Sequence, residues 1–336
     1  MTELPQRANL KTLARHLGLS VTTVSRALHN GPEVRKETVE RVQKAALELG
    51  YVRDLGGVKL RTGQSFTISL MMRTMGDGEF GSAGLLSLLA GIYEVASQSG
   101  YSVQAIPVNS NDNIQDKLRN LVEGRQTDGI IFDHTSPDDR RVDYLMRVGF
   151  PFVSFGRTSD NVSHPYFDVD CCDSAYRGAK ALLEQGYRRI FHVTALNVFS
   201  FGLHRSIGFQ RALSEAGISY TPELVAEIEL VSSAARRATD RLLDRNIMPD
   251  AFLCANDAAL MGVFASLKSH GLNPMDFGLC CSSGTPLGEI FPVTPIALHY
   301  PLRQSGRRLA DLLIRRIAGE PAEQLQEIGI SELVLP

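Results

Sequence analysis

The sequence predicts an all-α head joined to an α/β body of two doubly wound parallel-sheet lobes. Three observations predict it. The first fifty residues repeat apolar positions at helical spacing, broken by glycines. From Phe66 onward strand-like runs alternate with helical ones, the pattern of a parallel sheet. That stretch is ~270 residues, more than one sheet holds, so it divides into two halves.

Composition sets outer limits. The chain has 336 residues, 43% apolar and 21% charged, which is globular. No apolar run approaches the ~20 residues of a membrane span. The polar start MTELPQRANLKTL lacks the apolar stretch of a signal peptide, so a cytoplasmic protein is expected. Cys171, Cys172, Cys254, Cys280 and Cys281 are odd in number and show no C-x-x-C spacing. Reduced thiols are therefore expected, with neither a disulfide framework nor a zinc ribbon.

The net charge of −2 hides an asymmetry. Residues 1–63 hold eleven Lys or Arg and six Asp or Glu, a net of +5, and the remainder carries −7. A small basic head on an acidic body implies two partners of different kinds.

In the head, Leu10, Leu13, Ala14 and Leu17 form one helix face, with Asn9 as N-cap and Gly18 as terminator. Leu19 fills the angle before the next helix. Ser20 is a second N-cap, opening V-T-T-V-S-R-A-L. Val24, Ala27 and Leu28 point inward there, while Val21, Thr22, Ser25 and Arg26 point outward. A third helix spans 35–49, with Val39, Val42, Ala46 and Leu49 inward. Two short helices joined through a glycine turn make a helix-turn-helix. Ser20, Thr23 and Ser25 suit phosphates, Arg26 a guanine edge, and Thr22 a base. The alternative is a plain three-helix bundle with solvated threonines.

In the body, F-T-I-S-L-M-M precedes a helix at 85–99, and S-V-Q-A-I-P-V one at 114–123. G-I-I-F-D precedes a helix at 140–148, and F-P-F-V-S-F ends the half. The second half reads as helix 174–184, strand R-I-F-H-V, helices 206–215 and 233–245, strand D-A-F-L-C-A and helix 258–270. A ligand belongs at the carboxyl ends of the strands, between the halves. G-D-G-E-F-G at 76–81 fits G-x-G-x-x-G, but the next strand ends without the acid that a ribose needs. It reads as a loop at the crevice mouth, and no cofactor is expected. No nucleophile elbow, P-loop or H-E-x-x-H occurs, and His192, His204, His270 and His299 are scattered. No catalytic residue and no metal site is predicted.

The run L-K-T-L-A-R-H-L-G-L-S-V-T-T-V-S-R-A-L, then E-V-R-K-E-T-V-E-R-V and L-G-Y, closely resembles the LacI/GalR family of bacterial repressors. The resemblance puts base reading on Val21, Thr22 and Arg26. His29, where an asparagine is usual, and Asn30 complete the DNA-facing set. It also implies a hinge helix that forms on DNA in Y-V-R-D-L-G-G-V-K-L-R-T-G. There Leu60 takes the place of the minor-groove wedge, with Lys59 beside it. Arg53 replaces the usual proline, and Gly56-Gly57 weakens the helix by about 1 kcal/mol per glycine, leaving its folding more dependent on DNA. An ordinary flexible linker is the alternative.

The body resembles the same family's periplasmic-binding-protein-like sugar domains. The signposts are A-K-A-L-L-E-Q-G-Y-R-R-I, R-S-I-G-F-Q-R-A-L-S-E-A-G and A-F-L-C-A-N-D-A-A-L-M-G. The resemblance marks Arg205 as the effector arginine and Asp257, with Asn256, as the acidic ligand residue. By the same resemblance Phe80 is expected near the first-helix position that covers the ligand, and Phe199 and Phe201 are expected to stack on a sugar face. The alternative for Arg205 and Asp257 is a structural salt bridge. Where the family carries G-Y/F-D-D this chain has C-S-S-G, so Ser283 replaces a carboxylate; Leu230 stands where some members carry an aromatic. Arg157, Tyr166 and Asp170 surround the first crossover, in a stretch like that of sugar regulators including α-glucoside repressors of alphaproteobacteria. A neutral sugar, an α-glucoside and an anionic sugar derivative all remain open as effector.

The expectation is a homodimeric, ligand-controlled repressor of a carbohydrate operon, with a helix-turn-helix domain (1–52), a hinge (53–64) and a two-lobed effector domain (65–336). It binds a palindromic stretch of double-stranded operator DNA and a sugar or sugar derivative, and no membrane. The family resemblance implies that the helix at 85–99 is the dimer element. The alternatives are a sugar-sensing protein without a DNA role and a dehydrogenase-like enzyme.

Overall fold

The computed structural model describes residues 8–28, 31, 33–51, 63–74, 84–109, 111–159, 162–283 and 294–336. His29, Asn30, Lys59, Leu60 and Phe80, the hinge glycines and the 76–81 run lie outside them. The chain forms two compact units, Met1–Ser65 and Phe66–Pro336.

In the first unit, α1 (Leu10–Leu17), α2 (Val21–Leu28) and α3 (Lys36–Glu48) pack around Leu13, Val24, Ala27 and Val42, all without solvent exposure. The expected caps are in place. Asn9 accepts from the Thr12 N–H at 2.9 Å, and Gly18 sits at φ 67°, where its lack of a Cβ removes the penalty. Ser20 Oγ accepts from the Thr23 N–H at 3.0 Å.

The second unit holds two sheets of six strands. The first uses β1 (Thr67–Arg73), β2 (Ser102–Val108), β3 (Gly129–Phe132), β4 (Phe152–Phe155), β5 (Tyr166–Val169) and β11 (Gln326–Gly329), ordered β11-β5-β4-β3-β1-β2. The second uses β6 (Ile190–Ala195), β7 (Val225–Ile228), β8 (Ala251–Cys254), β9 (Gly278–Ser283), β10 (Ile296–His299) and β12 (Glu332–Val334), ordered β12-β10-β9-β8-β6-β7. All neighbours are parallel except β10 and β12. Both sheets share one doubly wound order, with a switch point beside β1 and beside β6.

Helices cover both faces of each sheet, so the strands read as near-continuous apolar runs rather than alternating ones. In the first lobe, Ile68, Leu70, Ile131 and Val153 face α4 (Gly84–Gln98) and α11 (Leu302–Ile317). Met71, Ile130, Phe132 and Phe152 face α5 (Ile114–Glu123) and α6 (Arg140–Val148). In the second lobe, Ala251, Leu253 and Cys280 face α7 (Cys171–Glu184) and α8 (Ser200–Glu215). Phe252, Cys254 and Cys281 face α9 (Ser232–Asp244) and α10 (Asp257–Ser269). All five cysteines are free thiols, and burial pushes Cys171 up to about 11 and the three core thiols higher still.

The chain crosses between lobes three times: from β5 into α7, from β10 into α11, and from β11 into β12. The first and third crossings are laced together. The Asp170 N–H donates to Gly329 O at 2.9 Å, the hydroxyls of Ser174 and Ser331 lie 2.8 Å apart, and Arg177 donates to Ser331 O at 2.7 Å. No helix among the described residues is long and apolar enough to cross a membrane.

Candidate functional sites

On the head, α2 presents Val21, Thr22 and Arg26 to solvent, as its periodicity predicts, while Ser25 and Thr23 are half-buried. The Ser20 hydroxyl is occupied as the cap and lies 2.8 Å from Thr23 Oγ1. Arg26 Nε lies 3.2 Å from Glu33 Oε1 in the loop after α2.

On the body, the loops at the carboxyl ends of the two sheets touch. Arg73, ending β1, lies 3.7 Å from Glu229, just beyond β7. The Ser200 N–H, opening α8, donates to Thr135 O at 2.9 Å. Phe199 and Phe201 stack in parallel at 5.7 Å, and the ring of His134 meets both edge-on, at 5.2 and 5.4 Å. The Arg73 guanidinium lies 5.1 Å from the Phe199 centroid. The two phenylalanines predicted to stack on a ligand thus pack against the opposite lobe.

His134 holds φ 53°, sparsely populated for a residue with a Cβ. Arg141 secures it, donating to His134 O at 2.9 Å while gripping Asp139 with Nε (2.9 Å) and Nη2 (2.6 Å). Burial pushes the neighbouring Asp133 carboxyl up, but His134 and the Arg141 charge outweigh it and hold the group below the usual range.

Around the first crossing, Arg157 Nε lies 3.4 Å from Asp168 Oδ2. The sequence points to Asp170 and not to Asp168, whose single signal is the alternation in F-D-V-D. Burial pushes its carboxyl up to about 6, against the pull of Arg157. An acid with a raised folded-state pKa stabilises the fold below its unfolded value, and that stability is lost as pH rises through the folded one. Wild-type stability is therefore expected to drop between about pH 4 and pH 6 by on the order of 3 kcal/mol from this group. Asp168→Asn is expected to remove that component, read from urea unfolding at pH 4.5 and 7.5. Parallel pH profiles for the two proteins would overturn the assignment.

Asp170 itself is the N-cap of α7, accepting from the Asp173 N–H at 2.9 Å, and Tyr166 opens β5 half-buried with its ring 5.5 Å from His164. Asn256 caps α10, accepting from the Ala259 N–H at 2.8 Å and donating to Leu230 O at 3.0 Å.

Arg205 lies in α8, which begins six residues before the predicted start. Its Nη1 donates to Ser282 Oγ at 2.8 Å, and its buried Nε has no hydrogen-bond partner among the described residues. No ion pair joins it to Asp257, whose buried carboxylate accepts from the Ala258 N–H at 3.0 Å, so the structural salt bridge is not formed. Strand alternation in β9 brings Ser282, rather than Ser283, to Arg205; Ser283 is buried, and its carbonyl accepts from the Tyr300 N–H at 3.2 Å. The buried hydroxyls of Ser200 and Thr158 have no partner among the described residues. Neither was predicted, because single hydroxyls carry no sequence pattern. His192 is a core histidine, pushed down to about 3 by burial and then by the Arg205 charge. A separate cavity of about 410 Å³ lies at the amino ends of β6 and β7, away from these groups, where Arg188 and Arg189 bind backbone carbonyls. Among the described residues no cluster fit to hold a metal occurs.

Both parts of the chain are similar to known protein families. Residues 9–54 match the model for bacterial regulatory proteins of the lacI family, and residues 179–335 match a periplasmic binding protein-like domain. The HTH-type transcriptional regulator AglR of Rhizobium meliloti is 31% identical over 336 residues, 97% of this chain and 93% of that one. The HTH-type transcriptional repressor CytR of Escherichia coli strain K12 is 27% identical over 333 residues, 98% and 95% of the two chains. Among solved structures, the complex of the transcriptional regulator CelR with cellobiose superposes with a TM-score of 0.72 at 25% identity, over 98% of this chain and 99% of that one. The lac repressor dimer bound to operator and the anti-inducer ONPF gives a TM-score of 0.80 at 20% identity, over 98% of each chain, a likeness of fold.

Proposed function

The chain belongs to the LacI family of bacterial regulatory proteins, and from that premise we propose how its two sites divide the work of a ligand-responsive transcriptional regulator. Like its relatives it is a DNA-binding regulator and not an enzyme. In our reading it represses a carbohydrate uptake or catabolism operon in the cytoplasm. Val21, Thr22 and Arg26 read base edges in the major groove. Thr23, Ser25, His29 and Asn30 serve phosphates, with Lys59 and Leu60 in the minor groove. The exposed positions of α2 support this, since a recognition helix must keep that face free of its own core.

The effector is a sugar or sugar derivative held between the lobes. The observation that carries this is Arg205: a partly buried guanidinium that among the described residues has an unpaired Nε and a single hydroxyl as partner is costly until a ligand fills the gap. Asp257 and Ser283 act from the same lobe, with Asn256 held beside them by its capping bonds. Arg157, Tyr166 and Asp170 border the first crossing, and Phe80, Phe199 and Phe201 present aromatic faces. A sugar that stacks on Phe199 or Phe201 in place of His134 would make effector and lobe-to-lobe contact compete for the same rings. That competition is the differential affinity through which a ligand shifts the angle between lobes.

The working unit is a homodimer on a palindromic operator. On α4, Leu86 (73% exposed) and Tyr93 (62% exposed) lie seven residues apart on one face, and on α10 Met261 is 51% exposed. These faces support pairing with a second copy.

The test is a gel-shift assay on DNA flanking the chain's own gene, with and without sugars, sugar acids and sugar phosphates. A retarded band released by one ligand class is expected. Absence of any retarded site, with or without ligands, would sink the proposal.

A further inference from the structure

We propose that Glu33 sets the specificity of the DNA-reading helix by holding Arg26 in one orientation. The inference rests on the reading of α2 as the major-groove helix. At Gly31 the chain returns to α2: the Gly31 N–H donates to Arg26 O at 2.9 Å, and the Val34 N–H donates to Gly31 O at 2.9 Å. This return places Glu33 Oε1 3.2 Å from Arg26 Nε. Glycine at position 31 leaves the space for it. A Cβ there would lie 3.2 Å from both Arg26 O and Glu33 Oε2, pressing on the carboxylate.

The chemistry follows from the geometry of guanidinium. Arginine reads guanine O6 and N7 with two parallel N–H donors, either Nε with one Nη or both Nη groups end-on. With Nε given to Glu33, only the end-on approach remains. One orientation in place of two sharpens discrimination at a single base pair. The same carboxylate faces a polyanion and lowers affinity for every DNA sequence. Free in water the pair is exposed, 57% and 46% for the two side chains, and contributes little. In a groove that excludes water the same contact strengthens, so its effect belongs to the complex and not to the fold.

The experiment uses the full chain and its operator, with a panel of duplexes substituted at one base pair at a time, read by fluorescence anisotropy. The variants are Arg26→Ala, Glu33→Ala, Glu33→Gln and the double alanine. Glu33→Ala is expected to bind non-operator DNA severalfold more tightly. It should also lose about tenfold discrimination at the one base pair to which Arg26→Ala is sensitive. Glu33→Gln, whose amide oxygen still accepts from Nε, should retain part of that discrimination. In the Arg26→Ala background, removing Glu33 should cost no further discrimination. Unchanged thermal unfolding of each variant confirms that the head is folded. The proposal is overturned if Glu33→Ala scales all duplexes by one factor, or loses discrimination at a different base pair. If Arg26→Ala itself shows no base-pair signature, the groove reading of α2 falls, and this proposal with it.

Discussion

Gly306→Ala is expected to destabilise the body by about 3 kcal/mol or more, visible as a lower denaturant midpoint for unfolding. Helix propensity alone argues the opposite sign, because alanine favours a helix interior over glycine by about 1 kcal/mol. Packing decides. A Cβ on Gly306 would lie 2.1 Å from Leu88 O, and one on Gly91 would lie 2.0 Å from Arg303 O. Helices α4 and α11 therefore touch backbone to backbone, each through the other's glycine. A carbonyl oxygen in a helix cannot rotate aside as a flexible side chain would. The helices must separate, and Ile92, Leu309 and Leu313, each fully buried, would lose contact along the whole seam. An unchanged or raised midpoint would refute the interlock.

Arg205→Ala is expected to weaken effector binding by ten- to a hundredfold while operator binding stays intact, giving a protein that no longer leaves DNA. A hydrogen bond to a charged group contributes about 1.5–3 kcal/mol, and the fold-change follows from that range. Among the described residues Arg205 holds the Ser282 hydroxyl and no carboxylate, so its removal breaks one hydrogen bond there and no ion pair. Its structural cost is accordingly small, and His192 stays neutral because burial, not the Arg205 charge, is the main reason it does not protonate. Isothermal titration gives the ligand affinity, and the gel shift gives release. Loss of operator binding together with ligand binding would instead make Arg205 a structural residue.

The head was legible in the sequence almost residue by residue. Asn9, Gly18 and Ser20 act on neighbours three or four positions away, so their meaning is local. Most body helices were legible by period. The start of α8 was not: Ser200–Leu203 carries no helical pattern, and Gly202 fits because a Cβ there would lie 2.4 Å from Leu196 O. The crevice was legible as a place and less so as chemistry. Alternation along β9 decides between Ser282 and Ser283, and it depends on which face of the strand meets α8. Asp170 and Asn256 read as ligand residues from their motifs, and both also cap helices, a use that only the backbone around them reveals.

By itself the sequence determined the three-helix head, its outward Val21, Thr22 and Arg26, the alternation that makes two sheets, and the basic-to-acidic split of charge. The structural features depend on spacing within a dozen residues, and the charge split on composition alone. Tertiary structure alone decided that α11 returns to the first lobe, that β11 joins the first sheet and β12 the second, and that Arg205 meets Ser282 instead of Asp257. It also set Glu33 against Arg26 and His134 against Phe199 and Phe201. Most of these choices join residues far apart in the chain. They are settled by which sheet edge is open and which carbonyl a glycine lets approach, quantities that local pattern does not contain.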